Sequence, residues 1–336
     1  MLVLGVALQW AACRYNGFFS EVLRIKLSGF IRREVLKMVK AVLYIFIVFI
    51  NVVNVQAKIS YTDNYQEIQK FMPSYTASIL DGLIFKRQGD ESDSFMHALG
   101  FHQVIKNNMA YMLTKDGLIS SNNIKEAKRV PSDFIKNTVK PKSTTIEATW
   151  LKHSDNKPQK AEKISNILGG YGRLIINTDA RKVTLPIELA TSEKLAYYGA
   201  VAIPMGTTVT FPPEEKEYPI WAMSLGKHYT NGYLMTPKAG GWYLEWHTDR
   251  PHFHMPLSSD AGGFYILGKA LDNNRFELTA FKIPFGTAVY TKRGAIHTDA
   301  GLTGKSWAVG YATSDSFSTV LLRNKQGEYV ELVGRS

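Results

Sequence analysis

The chain has 336 residues, of which 45% are hydrophobic, and its formal net charge is +11. That length accommodates one large or two small domains, each with a proper core. Residues 1–57 hold seven of the 40 basic and two of the 29 acidic residues, which leaves +6 for residues 58–336. No basic stripe with interleaved aromatic side chains occurs, so the sequence argues against nucleic acid as a partner. The single cysteine, Cys13, excludes a disulfide scaffold and a thiolate metal site.

Residues 38–57 have the pattern of a secretory signal peptide. A short basic start is followed by the apolar run 41–50 and by Val55-Gln56-Ala57, which predicts cleavage before Lys58. The apolar run is short for a membrane span, so we expect no stable span after cleavage and a periplasmic or secreted protein. An uncleaved N-terminal anchor is the alternative. Residues 1–37 are interpreted as non-native sequence ahead of the true start, or else as a cytoplasmic leader.

Residues 58–135 are predicted to form a small helical region. The segment 65–72 is amphipathic, and segments 94–102 and 104–113 continue the helical spacing of apolar residues. Residues 136–199 begin with a stretch rich in Lys, Ser, Thr and Pro, which predicts a linker. A strand is expected within that region at 145–151.

From about residue 164 the sequence predicts many short strands. Apolar runs rich in Val, Ile, Tyr, Phe and Trp alternate with Gly, Pro, Asn and Asp, as in an antiparallel sandwich or barrel. The predicted fold class is therefore α+β and mainly β, with an antiparallel sandwich or barrel in this part of the chain. The runs that carry this prediction are 173–177, 199–203, 221–225, 241–246, 264–267, 276–281 and 307–311.

One short pattern occurs twice. Residues 203–210 and 283–290 share Ile, Pro, Gly, Thr and Val at equivalent positions, eighty residues apart. This favours a duplicated β-domain, in which 136–199 supplies strands of a degenerate first copy that has lost its metal. The alternative is chance, because a turn glycine followed by a β-branched strand is common.

Five of the eight histidines lie between residues 228 and 297. Residues two apart on a strand point to the same face, and imidazole and carboxylate are common ligands of divalent metals. The sequence therefore predicts a site for Fe, Mn, Ni or Zn with an open position. Its candidate ligands are His247, Asp249, His252, His254 and His297. The alternative is that these histidines cap turns and satisfy buried carbonyl groups.

Two segments resemble the motifs of the cupin superfamily. Residues 286–297 resemble the second motif: a glycine, five residues, usually a proline, one residue, a glycine, two residues and a metal-binding histidine. Here Lys292 stands in place of the proline. His252-Phe253-His254, followed by a strand that ends at Gly268, resembles the first motif. The glutamate ligand that the family has shortly after its histidine pair is missing.

The resemblance implies that residues 200–330 form a double-stranded β-helix barrel with a metal inside its mouth. It also implies an enzyme acting on a small polar or sugar-like substrate, as an isomerase, lyase or dioxygenase, in a protein that forms a homodimer. Two other functions compete. His247-x-Asp249 with His297 resembles the ligand triad of iron/2-oxoglutarate oxygenases, with Lys305 as the residue for the oxoglutarate carboxylate. The third is a non-enzymatic cupin module that binds a small-molecule ligand.

Overall fold

The structure of the chain is a computed structural model, and β-strands dominate it. It describes Ser94 and residues 96–152, 172–212, 218–246, 248, 250–310 and 319–336. In these segments no helix has the length and apolar character that crossing a bilayer requires.

Twenty strands form within the described residues. In chain order they are β1 (Met96–Ile105), β2 (Ala110–Thr114), β3 (Gly117–Ser121), β4 (Lys128–Arg129), β5 (Thr144–Leu151), β6 (Gly172–Ile176), β7 (Lys182–Leu189), β8 (Ala200–Pro204), β9 (Thr208–Thr210), β10 (Tyr218–Leu225), β11 (Tyr243–Leu244), β12 (His252–Pro256), β13 (Gly262–Gly263), β14 (Tyr265–Ala270), β15 (Arg275–Lys282), β16 (Thr287–Thr291), β17 (Ile296–Thr298), β18 (Leu302–Gly310), β19 (Val320–Arg323) and β20 (Glu331–Arg335). A short helix, α1, spans Ser192–Ala196, and a π-helical turn spans Thr230–Leu234.

The strands form three sheets. The first has the order β1-β10-β18-β12-β16-β8, with β13 paired to β18. The second has the order β11-β19-β6-β5-β15-β14-β17, with β7 paired to β15 and β20 to β7. The third is small, with the order β3-β2-β9-β4. The larger sheets curl as half-barrels, which is compatible with a β-barrel or jelly-roll fold.

The first sheet is buried on both faces. Met223 and Trp307 belong to one apolar cluster together with residues of the second sheet, while Phe253 and Met255 belong to another together with residues of the third sheet. Because side chains alternate along a strand, His252 and His254 lie on the face of β12 opposite to that of Phe253 and Met255. Both histidines therefore enter the interior between the two large sheets.

The second sheet returns on itself. Its path begins at β11 and ends at β17, and the residue just after β11, Glu245, forms an antiparallel bridge with His297 of β17. The Glu245 amide donates to the His297 carbonyl at 2.8 Å, and the His297 amide donates to the Glu245 carbonyl at 3.0 Å. This bridge, which we call the seam, joins the two ends of the sheet.

Most strand predictions are confirmed, and the helical prediction is wrong where it can be compared. Each of the seven predicted runs after residue 164, and the predicted strand at 145–151, contains an observed strand or part of one, although the run 241–246 contains only Tyr243–Leu244. In contrast, residues 96–129 form β1 to β4 rather than helices. The strands β5, β6 and β7 pair into the same sheet as β15, so the second sheet contains residues from both sides of position 200. Residues 1–93 lie outside the described residues.

The repeated pattern is also repeated in structure, at the turn. In each copy the threonine amide donates to the proline carbonyl, at 3.2 Å from Thr207 to Pro204 and at 3.1 Å from Thr287 to Pro284. The glycine between them has φ of 81° at Gly206 and 84° at Gly286, as the third position of a type II turn requires. The strands that follow have different partners, since β9 pairs with β2 and β16 pairs with β12 and β8.

Candidate metal centre

Three side chains from three segments of the two large sheets meet in the buried interior. They are Glu245 after β11, His252 at the start of β12 and His297 in the middle of β17. Glu245 Oε2 lies 3.7 Å from Nε2 of His252 and 3.7 Å from Nε2 of His297. The two imidazole rings have their centroids 4.2 Å apart. One ligand atom from each residue falls within 4.8 Å of the other two, which is a spacing that can hold a metal ion.

Local hydrogen bonds position Glu245 and His297 and set the tautomer of His297. The seam fixes the backbone of Glu245 directly opposite that of His297. His297 Nδ1 lies 2.9 Å from the carbonyl oxygen of Ala295, and since a carbonyl only accepts, that ring nitrogen carries the proton. Nε2 of His297, which lies 3.7 Å from Glu245 Oε2, is then the ring nitrogen available to bind a metal.

A second layer of polar side chains repeats the first, two residues away on each segment. Tyr243 comes two residues before Glu245, and His254 and Asp299 come two residues after His252 and His297. Because side chains alternate, the two members of each pair lie on the same face of their segment. All three are buried. The Tyr243 hydroxyl donates to Asp299 Oδ1, and Asp299 Oδ2 lies 3.7 Å from His254 Nε2.

Tyr265 of β14 lies beside both layers. Its ring centroid is 4.6 Å from that of His254 and 6.3 Å from that of His297. Burial raises the pKa of Tyr265 well above its ordinary value, and the negative charges of Asp299 and Glu245 raise it further, whereas the hydrogen bond to Thr291 acts in the opposite direction. Both carboxylates therefore act on the same buried phenol, which remains neutral.

The first layer offers two imidazole nitrogens and one carboxylate. That donor set suits Zn, Fe, Mn and Ni, and three protein ligands leave coordination positions for water or substrate. All three groups are nearly inaccessible to solvent, so a bound cation is screened little from its ligands. The residues present therefore fit a divalent metal.

The predicted ligands have three different outcomes. The structure brings His252 and His297 together, and it places His254 in the second layer next to Asp299. His247 and Asp249 lie outside the described residues. Lys305 is exposed on β18, where its amide donates to Asp260 Oδ2 at 3.3 Å.

Sequence reasoning missed Glu245. The cupin-like motif places a glutamate after the histidine pair, but the carboxylate that meets these histidines comes seven residues before His252. A signal was present, since Tyr243-x-Glu245, His252-x-His254 and His297-x-Asp299 are three pairs of polar residues in otherwise apolar strands. Each pair sends two polar groups to one buried face.

Comparisons with known proteins found no match among family models, curated proteins or solved structures.

Proposed function

We propose that this chain is a metal-binding protein whose ion is held by Glu245, His252 and His297, and that it is an enzyme of cupin-like type. One observation carries the proposal: a carboxylate and two imidazoles, from three segments of the two large sheets, converge within coordination range in a buried interior. Buried polar groups are costly unless they bind a partner. Each of the three segments places an ionisable residue in the buried interior, and this is typical of a functional site rather than of core packing.

A bound divalent ion would act as a Lewis acid on a substrate oxygen at its open positions. The protein's own contribution is to fix the ligands and to exclude water. The seam holds Glu245 against His297, the Ala295 carbonyl sets the tautomer of His297, and the apolar cluster between the sheets surrounds the site. These features fit an isomerase, a lyase or a dioxygenase that acts on a small polar or sugar-like molecule.

The direct test is elemental analysis of the full chain, purified without chelator and without an affinity tag of histidines. We expect about one Fe, Mn, Ni or Zn per chain, since three ligands define one site. The same measurement on Glu245→Gln, His252→Ala and His297→Ala is expected to show loss of that metal in each variant.

His228→Ala is the matched control. His228 is exposed and lies outside the cluster, so its removal should leave the metal content unchanged. A wild-type chain that stays free of metal after incubation with each of the four ions would refute the proposal. Metal that persists in all three cluster variants would place the site elsewhere.

The donor set favours one second candidate. Two histidines and one carboxylate with open positions form the facial triad of non-haem iron oxygenases. In this case Glu245 would have the role that the sequence pattern predicts for Asp249. Consumption of oxygen that requires both Fe²⁺ and 2-oxoglutarate would select this candidate, and turnover of substrate without 2-oxoglutarate would reject it.

We further propose that the chain is exported, with residues 38–57 as its signal peptide. This rests on the basic start, the apolar run and the small residues before Lys58. Mass spectrometry of the protein recovered from outside the cytoplasm is expected to show an N-terminus at Lys58. An intact residue 38–57 segment on the exported protein would contradict cleavage at this position.

A further inference from the structure

The charge of the candidate metal centre is the starting point for a further inference. When it holds a metal, the first layer contributes one negative charge, from Glu245, and two imidazoles, which are neutral as metal ligands. A divalent cation bound there would leave a net charge of about +1 in an interior that water hardly reaches, and uncompensated buried charge is strongly unfavourable. A second negative group close to the ligands would remove this cost.

Asp299 is placed to supply that charge. It follows His297 by two residues on the same strand face, and only 3% of its surface is exposed. The Tyr243 hydroxyl fixes one of its oxygens, and the other faces His254 Nε2 at 3.7 Å. The His254 ring in turn lies parallel to the ring of His252, with 6.0 Å between centroids and 12° between planes. Asp299 is thus connected to the first layer through His254, whose ring faces that of His252.

We propose that Asp299 is the second negative charge of the metal centre, held one layer below the ligands by Tyr243 to balance a divalent cation without coordinating it. This inference rests on the proposed function, and it adds that the site is built for a dication. The position of Tyr265 supports the arrangement, because its ring lies beside both His254 and His297 and so beside both layers.

Asp299→Asn tests the inference, because the amide keeps the shape of the side chain and an oxygen for Tyr243 while removing the charge. Zn²⁺ affinity is measured by competition with a chromophoric chelator on the full chain. We expect one Zn²⁺ per chain in both proteins and an affinity at least about tenfold weaker in the variant, as for other groups that act on a metal from outside its ligand shell. The visible spectrum of bound Co²⁺ should be unchanged, because the ligands stay the same.

The rise in melting temperature on metal binding gives a readout that a structural role would not. Loss of the Tyr243 hydrogen bond to a charged acceptor affects the chain with and without metal alike, whereas loss of charge compensation affects the metal-bound chain alone. At one Zn²⁺ concentration, the rise in melting temperature that Zn²⁺ produces should therefore be smaller in Asp299→Asn than in wild type. Asp116→Asn, on the exposed turn between β2 and β3, is the matched control and should change neither the affinity nor that rise.

The outcomes separate the two proposals. A wild-type chain that binds no Zn²⁺ defeats the proposed function. A wild-type chain that binds Zn²⁺, with a variant affinity within about twofold of it, defeats this inference alone. A changed Co²⁺ spectrum would make Asp299 a ligand, and an equal Zn²⁺-dependent rise in melting temperature in wild type and variant would make its role structural. Either result overturns charge compensation.

Discussion

Replacing Glu277 by Gln should lower the free energy of unfolding by about 2–3 kcal/mol at neutral pH, the amount typical of hydrogen bonds to a buried charged acceptor. Glu277 lies on β15 with 1% of its surface exposed. It accepts from Ser143 Oγ at 2.7 Å, Tyr197 Oη at 2.6 Å and Lys140 Nζ at 2.6 Å. Lys140 is largely exposed, so we assign most of the effect to the two hydroxyl donors.

The pH dependence gives this prediction its sign. Burial acts to raise the pKa of Glu277, but the hydrogen bonds from Lys140, Tyr197 and Ser143 outweigh it and lower the pKa below its ordinary value. A lowered pKa in the folded state stabilises the fold above the ordinary glutamate pKa of about 4.3, and this contribution is lost as the pH falls through the folded value. The difference between wild type and Glu277→Gln should therefore shrink in acid.

Urea unfolding of both chains, followed by tryptophan fluorescence across this pH range, measures the difference. Glu147→Gln is the matched control, because Glu147 is exposed on the neighbouring strand β5, where a substitution should change stability by less than about 0.5 kcal/mol. A loss below about 1 kcal/mol for Glu277→Gln, or a loss that is the same at acid and neutral pH, would refute the charge-assisted network.

Three further predictions concern backbone, core and metal. Gly263→Ala should destabilise the fold by clearly more than Gly327→Ala, because both have φ near +75° but a Cβ at Gly263 would overlap a backbone carbonyl whereas Gly327 faces open space; equal urea midpoints would contradict this. Trp307→Ala should cost about 3–5 kcal/mol in urea unfolding, since the fully buried indole lies in the core between the large sheets, and a cost below about 2 kcal/mol would contradict that placement. Zn²⁺ should raise the melting temperature of the wild-type chain by mass action and leave Glu245→Gln unchanged, and an equal rise in both would contradict the assigned ligand.

The strands after residue 164 were predictable because their signal is local. Runs such as 276–281 carry β-branched and aromatic residues between turn residues, and that composition selects an extended conformation. β1 was not predictable in the same way. Its pairing with β10 shifts register between Ala98 and Gly100 and again between Phe101 and Gln103, and these irregularities break the period-two pattern that marks a strand. Its partner also lies more than a hundred residues away.

The candidate centre was predictable in part for a similar reason. His252 and His297 belong to recognisable patterns, so the sequence identified them. Glu245 is part of the centre only because β11 and β17, fifty residues apart, meet at the seam. That contact depends on closure of the whole second sheet, which no local pattern encodes. The pairing of Asp299 with His254 depends on the approach of the two large sheets and was missed for the same reason.

The seam has a consequence for how a buried centre exchanges its contents with solvent. The interior strands of the second sheet are held by ladders such as the six residue pairs between β14 and β15, whereas the seam is an isolated bridge with two hydrogen bonds. Local opening is easiest where few such bonds must break. Parting the seam would uncover Glu245 and His297 while the rest of the sheet stayed paired. Glu245 and His297, which are proposed to bind the ion, would then also line the opening through which the ion reaches the site.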